Sequence, residues 1–207
     1  MGKISSNVTH DLNNVFSIIN EYTGIIEDKI YAAMNGADFD VEKVIYYKDK
    51  ILNQIGRGKN LNRQLNQFSH SVDDEEMQFE LNSAMNTLVM LIRRFALLKE
   101  MSLQFIPFSR EVNMKARLFE IEQTIFTIIH FLLDFSEKDS SIEVSILEQE
   151  TNDFKIKIFF SKFMPEKYNE VSSFLKNLVY KGEEGIEIIP EERSLSVLLK
   201  LEQNFIG

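Results

Sequence analysis

The chain has 207 residues, 44% hydrophobic and 27% charged, an ordinary globular balance, and at a prior of roughly 150 residues per domain it fits one large domain or two modest ones. It contains no cysteine, which excludes disulfides, thiolate metal sites and a cysteine nucleophile. Its net charge of -9 and pI near 5.0 argue against nucleic acid as a partner, because phosphate neutralisation needs clustered Lys and Arg.

In chain order, residues up to about Ser71 predict two long helices. Leu12, Val15, Phe16, Ile19, Thr23 and Ile26 recur every three or four residues, the pattern of one buried helix face. Asn35-Gly36-Ala37-Asp38 interrupts with turn residues. A second helix carries Val44, Ile51, Ile55, Leu61, Leu65 and Phe68, with Gly56 and Gly58 weakening it by about 1 kcal/mol each. Two helices cannot enclose a core, so the hairpin is expected to dimerise into a four-helix bundle.

The charged run Ser71-Val-Asp-Asp-Glu-Glu76 marks a boundary, giving expected domains at 1–71 and 77–207. Beyond it, Leu81–Leu98 has helical spacing, and Ser102–Ile106 and Val112–Ala116 read as short strands. Phe119–Phe135 is a strongly apolar helix. Ile142, Val144 and Ile146, then Phe154, Ile156, Ile158 and Phe160, alternate with period two, as in a half-buried hairpin. Tyr168–Tyr180 reads as a helix, and Ile186–Ile189 and Leu195–Leu201 as strands. The expected class is α+β, a helical hairpin followed by one sheet covered by helices. No apolar run reaches the ~20 residues of a membrane span, and the N-terminus lacks the apolar core of a secretion signal, so a cytoplasmic location is expected. Gly2 with Ser6, and the Asn7-Val8-Thr9 sequon, are motifs too short to carry weight here.

Chemistry concentrates in His10-Asp11-Leu12-Asn13-Asn14, read as the opening of the first helix. His10, Asn14, Ser17 and Glu21 are spaced by four, three and four, so they share one helix face. Leu12, Val15, Phe16 and Ile19 are expected on the opposite, buried side. A neutral, solvent-facing imidazole is a competent nucleophile near pH 7. Asp11 could orient the ring or take its proton, and Asn14 could hold a water or a phosphoryl oxygen. Spacing alone leaves open a plain surface histidine near a helix start. His130, between Ile129 and Phe131, reads as a core or interface histidine. His70 reads as a residue at a helix C-terminus, and no His pair has the spacing of a helical zinc site.

The segment from Val8 to Glu27 resembles the phosphoacceptor helix of sensor histidine kinases, closest to the nitrogen-regulation-like group with its His-Asp-Phe/Leu-Asn-Asn pattern. Ile55 to Ser69 resembles the end of that family's second helix, and Phe79-Glu-Leu-Asn82 the lead into its ATP-binding domain. The resemblance implies a histidine-kinase ATPase-like α/β sandwich after the hairpin, with His10 phosphorylated and Asp11 assisting. Asn14 would match the position that aligns a hydrolytic water in phosphatase-competent members. The second half departs from the pattern. The family's two magnesium-binding Asn positions fall at Thr127 and Phe131, and its Asp-x-Gly-x-Gly turn at Phe159-Phe-Ser-Lys-Phe-Met-Pro165. Gly182 and Gly185 sit among acids that would repel a triphosphate. ATP and Mg²⁺ binding are therefore expected to be lost, with no cofactor beyond the Mg²⁺ that receivers bind themselves.

The expected function is a histidine phosphotransferase of a two-component phosphorelay, a homodimer exchanging phosphoryl groups between His10 and receiver-domain aspartates. Ser17 and Glu21 would lie in the receiver-docking face. The alternative is a non-catalytic regulator that binds a receiver or a kinase, or a receiver phosphatase dependent on Asn14.

Overall fold

The computed structural model describes residues 2–73, 76–150, 153–178, 185–201 and 204–205. The chain divides into two compact units, Met1–Asn66 and Gln67–Gly207.

The first unit is a hairpin of α1 (Gly2–Met34) and α2, which begins at Val41 and runs to Asp73, past the unit's end. Gly36, at φ 91°, ends α1 in a left-handed conformation that needs no Cβ. Ala37 N–H then donates to Ala32 O and Gly36 N–H to Ala33 O, closing a Schellman turn over carbonyls the helix leaves unpaired. Asp40 caps α2 by accepting from Lys43 N–H at 3.0 Å.

On α1 Ile4, Val8 and Val15 are buried and Leu12, Ile18, Ile19, Tyr22, Ile25 and Ile26 half-buried; on α2 Val44, Tyr47, Ile51, Leu61 and Leu65 are half-buried. The fully buried positions mark one seam between the helices, flanked by half-buried apolar residues. Tyr22 stacks on Tyr47 at 5.7 Å, and Gly58 passes close to Val15, whose Cγ1 would touch an added Cβ at 3.4 Å. This arrangement corrects three expectations. Phe16 is 58% exposed rather than buried with Val15, and Ile55 is also exposed. Thr23, placed in the buried stripe by spacing, is exposed and bonds back to Ile19 O. The sequence pattern merges two adjacent stripes, and one partner helix covers only one of them. Phe16 and Ile30 on α1, with Val41, Ile45, Leu52 and Ile55 on α2, form the uncovered apolar set.

The second unit runs β1 (Met77–Glu80), α3 (Leu81–Leu98), β2 (Ser102–Ile106), β3 (Asn113–Ala116), α4 (Leu118–Leu132), β4 (Ser141–Glu150) and β5 (Asp153–Ser161). After a short 3-10 turn come α5 (Tyr168–Asn177), β6 (Ile186–Pro190), β7 (Ser194–Lys200) and β8 (Asn204–Phe205). The class is α+β, as expected. The strands form two sheets rather than one: a five-stranded sheet in the order β2-β4-β5-β7-β6, and a small sheet β1-β3-β8. In the larger sheet β2 pairs parallel with β4 and the other pairs are antiparallel.

The alternating residues of the central hairpin meet in register, Ile142 with Phe160, Val144 with Ile158 and Ile146 with Ile156, and all are buried. Leu195, Val197 and Leu199 extend that layer. Met85, Leu88 and Ile92 of α3, and Ile121, Ile125, Ile128 and Leu132 of α4, are also buried, so each helix contributes a full apolar stripe to the core.

The short strand β1, not anticipated, ends in a clamp. The Glu80 carboxylate caps α3 by accepting from Asn82 and Ser83 N–H, and also accepts from Val112 N–H. Asn82 in turn accepts from Phe108 N–H and donates to Arg110 O. Phe79-Glu-Leu-Asn82 thus fixes the loop between β2 and β3 to the start of α3.

Candidate functional site

Helix α1 starts at Gly2, so His10 lies more than two turns inside it rather than at its opening. The end-dipole effect fades within the first turn, so the ring sits on a regular stretch of helix. Its side chain is 57% exposed. Asn14, one turn on, brings its amide nitrogen Nδ2 to 3.1 Å from His10 Nδ1. Asp11 Oδ1 is 4.0 Å from the same nitrogen, within ion-pair range but too long for a hydrogen bond. Asp11 is the more sheltered of the pair, with 22% of its side chain exposed, because residue 11 falls on the shielded stripe between Val8 and Val15. Ser17 and Glu21 are exposed further along α1, as the spacing from His10 requires.

The structure therefore brings His10, Asp11 and Asn14 together at one ring nitrogen and leaves Ser17 and Glu21 as open surface. Sequence reasoning gave Asn14 a water or a phosphoryl oxygen to hold, and missed its contact with the imidazole. The i, i+4 spacing was the available signal.

The other histidines do not join this group. The ring of His130 is 5.5 Å from those of both Phe95 and Phe126, edge-on to each, an aromatic cluster between α3 and α4. His70 lies in the last turn of α2. Among the described residues no group of three or more His, Asp or Glu is placed to hold a metal ion. No helix among them is long and apolar enough to cross a membrane.

In the second unit, the side chains of Thr127 and Phe131, the positions expected from the resemblance to face magnesium, are otherwise engaged. Thr127 Oγ1 donates to Gln123 O at 2.7 Å. The Phe131 ring lies parallel to that of Phe174 on α5, with centroids 3.6 Å apart, and touches Phe135 at 4.8 Å. After β5 the chain turns through Lys162, a non-glycine residue at φ 50°, into the buried Phe163. Gly185 is buried just before β6, and Gly182 lies outside the described residues.

No family model matches the chain. No curated protein matches it either. Solved structures do. The catalytic domain of histidine kinase ThkA, in a nucleotide-free form, aligns over 63% of this chain and 97% of its own, with 12% identity and a TM-score of 0.50. The fold is histidine-kinase-like. ThkA solved in complex with the response regulator TrrA aligns over 98% of this chain and 62% of its own, at 16% identity and a TM-score of 0.50, so the likeness includes the hairpin. A structure described as a bacterial phosphotransferase covers 95% of this chain and 94% of its own, at 12% identity and a TM-score of 0.48.

Proposed function

We propose that the chain is a histidine phosphotransferase of a two-component phosphorelay, without ATP-dependent autokinase activity. The observation that carries this reading is the exposed His10 ring with Asp11 and Asn14 both gathered at Nδ1. With the proton on Nδ1, the Nε2 lone pair attacks the phosphorus of a receiver's aspartyl phosphate. The N–P bond forms as the P–O bond to the carboxylate breaks, and the receiver leaves as a free carboxylate. The ring becomes a phosphoimidazolium whose Nδ1–H faces Asp11 and Asn14, and the carboxylate stabilises the new positive charge. Transfer to a second receiver is the same step reversed, and neither direction needs an external proton donor. Ser17 and Glu21 extend the exposed face beside the ring, where the receiver would dock.

The histidine-kinase fold implies ATP and Mg²⁺, and the residues here do not fit them. Mg²⁺ requires oxygen ligands, which Phe131 lacks, and the Thr127 hydroxyl is committed to its own helix. The Phe131–Phe174 stack ties α4 to α5 with an apolar contact that offers a phosphate no donor. Dimerisation is part of the proposal: the uncovered stripe through Phe16, Ile30, Ile45 and Leu52 is what a second hairpin would bury.

The test is phosphoryl transfer from phosphorylated receiver domains to the native chain and to His10→Ala. Acid-labile label on the native chain and none on the variant is expected. Equal labelling of both would overturn the assignment. No label on either, with receiver binding retained, would make the chain a non-catalytic regulator.

A further inference from the structure

We propose that Asn14 is a positioning residue that selects the tautomer of His10, an inference that deepens the phosphotransferase reading and rests on it for its functional consequence. Only one ring nitrogen of a neutral imidazole carries the proton, and the bond made by the other group decides which. Asn14 reaches Nδ1 at 3.1 Å, whereas the Asp11 carboxylate stands off at 4.0 Å, so the amide makes the shorter contact.

An amide presents two different faces to that nitrogen. With its NH₂ toward the ring, Nδ1 accepts, the proton resides on Nε2, and Nε2 has no lone pair for phosphorus. With Oδ1 toward the ring, Nδ1–H donates and the lone pair sits on Nε2. A rotation of about 180° at the end of one side chain converts the first state into the second, leaving the backbone in place. In this structure the amide nitrogen Nδ2 faces Nδ1 at 3.1 Å, the first of these two states, and exchanging the amide nitrogen and oxygen needs that rotation alone. The transfer-competent state is the one with Oδ1 on Nδ1. Phosphorylation reinforces it, because a phosphoimidazolium can only donate from Nδ1. Asn14 then holds the ring in both the attacking and the phosphorylated form, with the Asp11 charge nearby.

The ring nitrogens report this directly. The chain has three histidines, so ¹⁵N-histidine labelling of the full-length protein gives few signals, and His10→Gln assigns the one of interest. At pH about 8.5, where an ordinary imidazole is neutral, long-range ¹H–¹⁵N spectra distinguish the tautomers. The native protein should show His10 mainly as Nδ1–H. Asn14→Leu, which removes donor and acceptor, should lower the Nδ1–H to Nε2–H ratio roughly fivefold, the scale of one hydrogen bond net of water. Transfer from a phosphorylated receiver should fall by a similar factor. Asn14→Asp, an acceptor only, should keep the Nδ1–H form and rescue transfer relative to Asn14→Leu.

A native ring mainly in the Nε2–H form, or a ratio unchanged by Asn14→Leu, would overturn the proposal even if transfer fell. In that case Asn14 would act on the phosphoryl group and not on the ring. A ratio that shifts as expected while no receiver labels His10 would leave the tautomer assignment standing and sink the phosphotransferase reading. Normal labelling with an unmoved ratio would do the reverse.

Discussion

Phe16, Tyr31 and Tyr46 of the hairpin are each more than half exposed, whereas Phe154, Phe160 and Phe163 of the second unit are at most 1% exposed. The contrast follows from what each architecture can cover. Two helices offer each other one seam, and a second apolar stripe on either helix has nothing to face within the hairpin. A sheet with helices against it closes its own core. The same contrast separates the chemistry. The hairpin leaves the polar groups His10 and Asn14 in solvent, while the second unit has an aromatic stack joining its helices α4 and α5.

The largest expected difference comes from treating one phenylalanine in each unit alike. Phe160→Ala removes a fully buried ring and should cost about 3–5 kcal/mol, with a urea midpoint independent of protein concentration. Phe16→Ala removes a ring that is 58% exposed in the single chain and should cost little in that chain. Its effect should appear instead in self-association, as a weaker dimer by sedimentation and a shallower concentration dependence of Tm. If Phe16→Ala leaves self-association untouched, the uncovered stripe is not the dimer seam.

That pair also shows what the sequence could reveal. The helices and the main strands were legible because their signals are strong: alternation in Ile142–Leu147 and Phe154–Phe160, and long helical periodicity in α3 and α4. Phe16 was misplaced because positions 15 and 16 both satisfy a helical period, and only the location of the partner helix decides between stripes. The strand β1 was missed because its four residues carry no alternation long enough to read, and its pairing with β3 is a non-local fact. The assumption of one sheet failed for the same reason. At the candidate site, the shared face of His10, Asn14, Ser17 and Glu21 was readable from spacing. The close contact at Nδ1 was not, because it depends on side-chain torsions. The replacement at Phe131 was visible in the sequence, but its partner Phe174, forty-three residues away, required the fold.

An intermediate effect tests the proposal that the second unit does not bind ATP and Mg²⁺ because aromatic packing occupies position 131. Phe131→Asn places an oxygen ligand at position 131 and removes the half-buried ring stacked on Phe174. A stacked aromatic pair is worth about 0.5–1.5 kcal/mol beyond its burial, so the variant should be less stable by roughly 1–3 kcal/mol. Calorimetry with ATP and Mg²⁺ should still detect no binding. Binding gained by this one substitution would mean that the cleft was kept intact and only a ligand was missing.

The smallest effect belongs to the start of α2, where the comparison becomes one of surface against core. The Asp40 carboxyl is held below its ordinary value of 3.8, first by the Lys43 backbone N–H it caps and then by the Lys43 side chain at 2.9 Å. A lowered folded value means that ionised Asp40 stabilises the helix start at pH values above the ordinary 3.8. That contribution is lost as pH falls through the lower folded value. Both side chains reach solvent, so the effect is local and salt-sensitive. Asp40→Asn keeps a good N-cap acceptor while removing the charge, and should retain protection of the Lys43 amide at neutral pH but lose its acid dependence. Asp40→Ala should lose protection at all pH values, as read by amide exchange in the first turn of α2. If Asp40→Asn instead keeps the same acid transition, the titrating group lies elsewhere and the cap acts through its hydrogen bond alone.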